Sequence, residues 1–491
     1  MPEWEECMYL GLDLGTSGVK ALLIDGEQRI VGTGHGDLDV SRPHSGWSEQ
    51  APADWLRATG DAVAALKASH PKELAAVKGI GLSGQMHGAT LLDKADAVLR
   101  PCILWNDVRS HTEAAKLDSD PRFRKITGNI VFPGFTAPKL VWVKNNEPDI
   151  FAEVAKVLLP KDYLRLWLTG EHISEMSDSA GTSWLDVAGR RWSDELLAAT
   201  GLDETHMPSL VEGTDRAGTL RSELASKWGM TGSVVVAGGA GDNAASACGM
   251  GTVAPGNAFV SLGTSGVLFA ANGAYLPNPE SAVHTFCHAL PKAWHQMGVI
   301  LSATDSLNWL SDITGKGAAE LTGALGEDLK QPGSVTFLPY LSGERTPHND
   351  AAIRGAFAGL EHESGVPALT QAVVEGVAFA FRDCLEALAA AGTKLDRVTA
   401  IGGGSRSRYW LRSIATALGI PVDIPADGDF GAAFGAARLG LIAAENADPL
   451  SVCTAPATEE TIEPGKNLLQ SYADAYARYR ALYPAIRGTM R

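Results

Sequence analysis

The sequence predicts an α/β protein made of two similar domains that face each other across a cleft, and three observations predict it. The stretch Leu14-Gly15-Thr16-Ser17-Gly18-Val19 recurs half a chain away as Leu262-Gly263-Thr264-Ser265-Gly266-Val267. Each copy sits between two short apolar runs, Met8 to Leu12 and Ala21 to Ile24 in the first, Ala258 to Val260 and Leu268 to Ala271 in the second. That pattern is a strand, a tight polar turn and a returning strand, with Gly supplying backbone angles that other residues avoid. Behind each hairpin the chain alternates between helical and strand patterning. At 491 residues it is also too long for one ordinary core.

Taken in order, Leu10, Leu12 and Leu14 face one way and Gly11, Asp13 and Gly15 the other. Asp13 therefore sits on the face without large apolar groups, two residues before the turn. Lys20 to Asp25, the turn Gly26-Glu27 and Arg29 to Thr33 complete a three-stranded meander. Asp54 is placed to cap a helix that buries Trp55, Ala58, Ala62, Val63 and Leu66. Val77 to Leu82 reads as a strand leading into Gly84-Gln85-Met86-His87-Gly88, and Ile103 to Trp105 as another that opens onto Asn106-Asp107. In the second half the hairpin around Gly263 precedes a long helix, Leu369 to Ala391, and a strand, Arg397 to Ile401. The turn Gly402-Gly403-Gly404-Ser405, a helix from about Tyr409 to Leu418, a strand from Pro421 to Ile424 and an Ala-rich helix from Phe430 to Ala444 follow. A meander followed by alternation, written twice, points to duplicated α/β domains of the ribonuclease-H/actin type. A Rossmann or P-loop domain would instead begin strand–loop–helix. Pro255-Gly256-Asn257 marks the boundary, giving domains at 1–254 and 255–491, with an insertion at about 130–230. Tyr472, Tyr476, Tyr479 and Tyr483 recur at helical spacing and read as packing.

Composition narrows the function. A net charge of −16 argues against nucleic acid or an anionic membrane as partner. No apolar run approaches the roughly 18 residues of a membrane span. The start, Met1 to Glu6, is acidic where an export signal would be basic, and six scattered Cys without a C-x-x-C fit reduced thiols. The expected location is the cytoplasm. Gly79 to Gly84 matches G-x-G-x-x-G, but no acid follows on the next strand, so it does not read as a dinucleotide site. There is no P-loop signature. His284 and Cys287-His288 lack a second ligand pair and read as packed polar groups.

Two features carry chemistry. A Gly/Thr/Ser turn directs main-chain N–H groups and hydroxyls at one point, which suits phosphate oxygens. Two such turns suit one phosphate chain held between two domains. Only the first brings a carboxylate, Asp13, whose counterpart is Ser261; Asp13 is the expected metal-facing group, with Mg²⁺ bridging phosphate oxygens. Lys20 is the nearest basic residue. The second feature is Val234-Val-Val-Ala-Gly-Gly-Ala-Gly-Asp242-Asn243, an apolar strand ending in small residues that leave room for a ligand. Asp242 either caps the following helix or, in a phosphoryl transfer, accepts the proton of the attacking hydroxyl.

These stretches together resemble the FGGY family of carbohydrate kinases over nearly the whole chain. The resemblance rests on Gly11 to Lys20, Ser41-Arg-Pro-His44 with Trp47-Ser-Glu-Gln50, Gly84 to Leu92, and Leu104-Trp-Asn-Asp107. It continues through Pro133 to Leu140, Leu159 to Leu164, Gly241 to Ala245, Ser261 to Gly266, Leu338 to His348, and Ile401 to Gly404. It implies two ribonuclease-H-like domains of the actin/sugar kinase superfamily and an ATP-dependent, Mg²⁺-supported enzyme. Asp242 would be the catalytic base and Asp13 the supporting carboxylate near the metal. Met86 and His87 would contact a ketose, with Trp105 and Asn243 in the same pocket. Thr16, Ser17, Lys20, Thr264, Gly403 and Gly404 would line the ATP site. Relatives are often dimers, so a homodimer is expected. The competing expectations are another sugar or polyol as substrate, or an actin-like ATPase, which would have no need of Met86, His87 or Asp242.

Overall fold

The computed structural model describes residues 7–426, 428 and 430–489; the acidic start Met1 to Glu6 lies outside the described residues. The first hairpin is β1 (Met8–Leu14) and β2 (Gly18–Asp25), extended by β3 (Ile30–Asp37) into the expected meander. Helix α1 (Pro52–Ser69) buries Trp55, Ala58, Ala62, Val63 and Leu66 as its spacing requires. Asp54 does not cap it: Ala51 is the N-cap, with no side-chain cap, and Pro52 opens the helix. Proline presets the helical φ at that position, and Asp54 in the first turn still faces the positive end of the helix dipole. Strand β4 (Val77–Gly84) runs parallel to β1. The expected strand at 103–105 is shorter, Cys102–Ile103, and Trp105 lies in the turn that follows.

The expected insertion contains α2 (Thr136–Asn146), α3 (Pro160–Thr169) and a short helix, Met176–Ser179, before the chain returns to the first sheet. There it forms β5 (Arg216–Thr219), β6 (Val235–Ala237), β7 (Ala240–Gly241) and helix α4 (Asp242–Met250). The sheet order is β5-β6-β4-β1-β2-β3, with β7 also beside β4.

The second half repeats the plan with β8 (Ala258–Leu262), β9 (Gly266–Asn272), β10 (His284–Cys287), β11 (Trp294–Ile300), α5 (Thr304–Thr314) and the long α6 (Val366–Ala390). It continues through β12 (Val398–Ile401), α7 (Arg408–Leu418), β13 (Val422–Pro425), α8 (Ala432–Glu445), β14 (Thr458–Ile462) and α9 (Leu469–Arg487). Its sheet order is β10-β11-β9-β8-β12-β13-β14. Both sheets join an antiparallel hairpin to parallel strands in the same way: β1 pairs with β2 and β4, and β8 with β9 and β12. The tyrosines of α9 are buried against the second core, as expected.

Helix α8 comes from the second half of the chain but packs on the first sheet. A Cβ on Gly11 would lie 1.9 Å from the Ala433 carbonyl oxygen, and one on Gly81 would lie 1.8 Å from that of Ala436. Gly435 meets the Ala245 carbonyl of α4 in the same way, at 1.8 Å. Backbone therefore lies on backbone across three elements, and the small residues on both sides permit it. Gly81→Ala is expected to destabilise by about 3 kcal/mol, because the obstructing atoms are main chain and cannot rotate away. Gly60, in the middle of α1 with nothing within 4 Å of an added Cβ, is the control. Gly60→Ala should stabilise by up to about 1 kcal/mol. Thermal denaturation of the two variants checks both signs.

Candidate active site

The parallel ladder brings the two carboxylates to one place. Across β1 and β4, Asp13 is level with Ser83; across β7 and β4, Ala240 is level with the same Ser83. Asp242 follows two residues later as the first residue of α4, with Gly241 as N-cap. Asp13 follows Gly11 on the strand face that α8 covers. Because β1 and β4 run against α8, from Gly440 at Gly79 to Ala436 at Gly81, Asp13 emerges beyond that helix's first turn. Lys20 is directly opposite Asp13 on β2. Burial raises the Asp242 carboxyl to about 6, and the Asp13 charge adds to the rise. Asn243 tempers it, donating to Asp242 Oδ1 from its backbone N–H at 2.7 Å and its side-chain Nδ2 at 2.9 Å.

The loop after β4 is packed in place from several sides. Met86 is buried against Gly241, whose added Cβ would lie 3.0 Å from Met86 Cγ. His87 adopts φ 68°, stacks on Phe135 at 4.5 Å between centroids, and places Nδ1 at 2.7 Å from the Gly181 carbonyl. Burial, with the Lys139 charge second, lowers His87 to about 3, so its ring is neutral at pH 7. Lys139 is itself pushed down to about 7 by burial and donates to the His87 and Gly134 carbonyls at 2.8 and 2.7 Å.

The first phosphate-type turn is tied to this loop. Thr16 Oγ1 donates to Gln85 Oε1 at 3.1 Å and accepts from Trp105 Nε1 at 3.0 Å. Trp105 is otherwise 48% exposed. Gln50 Nε2 donates to the Thr16 carbonyl at 2.7 Å, while its Oε1 accepts from Gln85 and from Trp55. Gln50 is held in turn by its neighbour Glu49, which pairs with Arg100 at 2.5 Å and Arg109 at 2.7 Å. Ser17 is exposed at the hairpin tip.

In the second sheet, Ser261 is level with Ile401, as Asp13 is with Ser83, so the triple-glycine turn occupies the place that Gly84 to His87 fill in the first. A cavity of about 670 Å³ opens beside it, lined by Thr304, Asn308, Gly403, Gly404 and Trp410 among others. Thr304 Oγ1 donates to the Gly263 carbonyl at 2.8 Å, which joins this cavity to the second hairpin, where Thr264 is exposed. A second cavity of about 590 Å³ lies between Gly402 and α4, reaching Ser246. Ser246 is one helical turn from Asp242 and so on the same face of α4. Neither cavity includes Asp13 or Asp242.

Beneath the carboxylates lies an ion cluster that sequence reading assigned no role. Lys161 Nζ contacts Asp162, Asp178 and Glu175 at 2.9, 3.1 and 3.2 Å, all fully buried. Burial alone would lower Lys161; the three acids outweigh it and hold its basicity above the ordinary value. Arg165 pairs with Asp162 at 2.7 Å and donates to the Gly238 carbonyl, and Ser177 Oγ accepts the Gly241 N–H at 3.1 Å. The cluster thereby grips the turn that ends at Asp242. Gln50, Gln85, Phe135 and Gly181 were likewise not singled out. The glutamines lie inside motifs already read; Gly181 carries no local signal.

Comparison with known proteins shows the family. Residues 8–249 match the N-terminal domain and 258–444 the C-terminal domain of the FGGY family of carbohydrate kinases. The chain belongs to that family and is an ATP-dependent sugar kinase. It is 52% identical over 439 residues to a xylulose kinase of Escherichia coli K12, covering 89% of this chain and 90% of that protein. It is 48% identical over 486 residues to a xylulose kinase of Klebsiella pneumoniae, covering 98% and 100%. A crystal structure described as a "xyloylose kinase" from Brucella ovis matches with TM-score 0.97 and 72% identity over 98% of this chain and 100% of that one.

A Cβ on Gly181 would lie 2.3 Å from His87 Cε1. Gly181→Ala is therefore expected to displace the His87 ring and lower kcat/KM for the sugar by about 10²-fold, while KM for ATP stays within twofold. Steady-state kinetics with each substrate varied in turn checks this.

Proposed function

We propose that the chain transfers the terminal phosphoryl group of ATP to D-xylulose, giving D-xylulose 5-phosphate and ADP, with Asp242 as general base. The substrate follows the xylulose kinases to which nearly the full chain is similar. One observation supports the base above the others: Asp242 stands at the start of α4 with its basicity raised to about 6 by burial and by Asp13. A carboxylate of that strength is ionised at neutral pH yet holds a proton better than an ordinary aspartate. In a loose transition state the hydroxyl proton leaves late, so this basicity suffices.

The C5 hydroxyl lies against Asp242, which accepts its proton as the oxygen attacks the phosphorus and the O–P bond to ADP breaks. Met86, His87, Trp105 and Asn243 surround the sugar. The neutral His87 ring can serve as a hydrogen-bond partner without attracting anions. Thr16, Ser17, Lys20 and Thr264 face the phosphate chain, and Gly403-Gly404 lets the nucleotide approach the backbone beside the cavity of about 670 Å³. Asp13 fits Mg²⁺: it is a carboxylate close enough to a second one to raise it. Among the described residues no group of three or more ligating side chains forms a cage, which suits an ion held mainly by water and phosphate oxygens. Bound there, Mg²⁺ would neutralise phosphate charge. No helix among the described residues is long and apolar enough to cross a membrane. None of the six Cys is in a disulfide.

ADP release should be measured from ATP·Mg²⁺ with D-xylulose, D-ribulose, L-ribulose, glycerol or no sugar. D-xylulose is expected to be preferred, and Asp242→Ala to lower kcat by about 10²- to 10⁴-fold. Turnover indifferent to sugar would return the cleft to an ATPase. The pH profile gives a separate check. Below about 6 Asp242 holds the proton it must accept, so wild-type kcat/KM should fall as pH drops through that value. In Asp242→Ala the residual activity should lack this limb.

A further inference from the structure

Of the motifs in the sequence, Ser342-Gly-Glu-Arg-Thr-Pro-His348 has no part in the chemistry so far. The structure locks this loop on both sides of one side chain. The Glu344 carboxylate is buried and accepts the Leu301 N–H at 3.0 Å and the Arg345 N–H at 2.7 Å. Thr346 donates its N–H to the Val299 carbonyl at 3.0 Å, and its hydroxyl accepts the Val299 N–H at 3.0 Å. His348 stacks on Tyr483 of α9 at 3.6 Å and meets Tyr340 Oη at 3.2 Å. Glu344, Thr346 and His348 are thus engaged by Leu301, β11, Ala282, Tyr340 and α9, while the Arg345 side chain reaches Phe132 and His284. Its guanidinium carbon lies 4.3 Å over the Phe132 ring, and Nη1 donates to His284 Nε2 at 3.2 Å. Phe132 and Phe135 pack edge to face, and Phe135 carries the His87 stack. The Arg345 charge is among the influences that lower His87.

We propose that Arg345 is a sugar-binding residue contributed by the second domain, its fork donating to two neighbouring oxygens of the ketose held by Met86 and His87. This deepens the substrate reading above and rests on it. A half-buried cation beside two aromatic rings commonly has a carboxylate partner. Arg345 makes no ion pair within 4 Å among the described residues: the adjacent Glu344 turns Oε1 to two backbone N–H groups and supports the Arg345 charge only at longer range. Among those residues the side-chain hydrogen bond of the guanidinium uses Nη1 alone, and the residue is only half-buried, which leaves Nε and Nη2 as the donors for a ligand. A polyhydroxy chain offers only oxygens there, and the planar fork matches a carbonyl oxygen and the hydroxyl beside it as an ammonium cannot. Among the described residues, the same loop also fastens the pocket to the C-terminal helix through His348 and Tyr483.

The test compares wild type, Arg345→Lys and Arg345→Gln, measuring KM for D-xylulose and for ATP, thermal midpoint, and sugar binding without nucleotide by isothermal titration calorimetry. Both variants are expected to raise KM for D-xylulose and the calorimetric dissociation constant about 10- to 100-fold, with Lys recovering a fraction at most. KM for ATP and the thermal midpoint should match wild type. Unchanged sugar affinity in the stable Arg345→Lys protein would overturn the proposal, as would a joint rise of both KM values with a lowered midpoint, the mark of a merely structural residue. The substrate reading fails separately, if wild type does not use D-xylulose but uses another ketose; the same comparison with that ketose then decides the role of Arg345.

Discussion

The arrangement depends on one close contact, the seating of α8 on the first sheet and on α4 with no side chain between them. Gly11, Gly81 and Gly435 each present bare backbone to a carbonyl of the opposing element. A single methyl group at any of these positions would drive two main chains apart. Because the helices lie this close, their first turns open at the same end of the strands, where Asp13 and Asp242 come together. The positions of these two carboxylates are thereby set by backbone contact, which deforms less than contact between side chains.

Charge is arranged around that frame in layers. The whole chain is strongly acidic, with a net charge of −16, yet it has to receive a nucleotide polyanion. Below the floor, Lys161 and Arg165 are consumed by Asp162, Glu175 and Asp178 and hold the turn before α4. At the floor the two carboxylates repel each other, which favours any cation that arrives between them. Beside them His87 is kept neutral by burial. Buried networks of this kind cost desolvation and return geometric definition, and here the definition falls on the turn that ends at Asp242.

Much of this was legible in the sequence because it is written locally. The repeated turn, the alternation that sets Asp13 apart from Leu12 and Leu14, and the small residues leading to Asp242 each follow from a few adjacent positions, and the hairpins, the sheets and the start of α4 lie where those patterns put them. Trp105 was read as the end of a strand and lies in a turn, since an apolar run of three residues does not distinguish the two. Asp54 was read as a cap, but Pro52 begins the helix earlier. Gly181, the Lys161 cluster and the seating of α8 were not legible at all. Each depends on residues far apart in the chain, and a run of Ala and Gly reveals close packing without naming its partner.

Helix α8 has a topological consequence. The chain leaves the second sheet after Pro425, visits the first, and comes back to form β14 at Thr458; together with the passage from Met250 to Ala258, three strands of polypeptide join the two halves. A single link would let the lobes swivel in any direction, whereas three crossings restrict their relative motion. The way the chain is threaded therefore limits how the triple-glycine turn and the Arg345 loop of the second half can shift relative to Asp242 of the first.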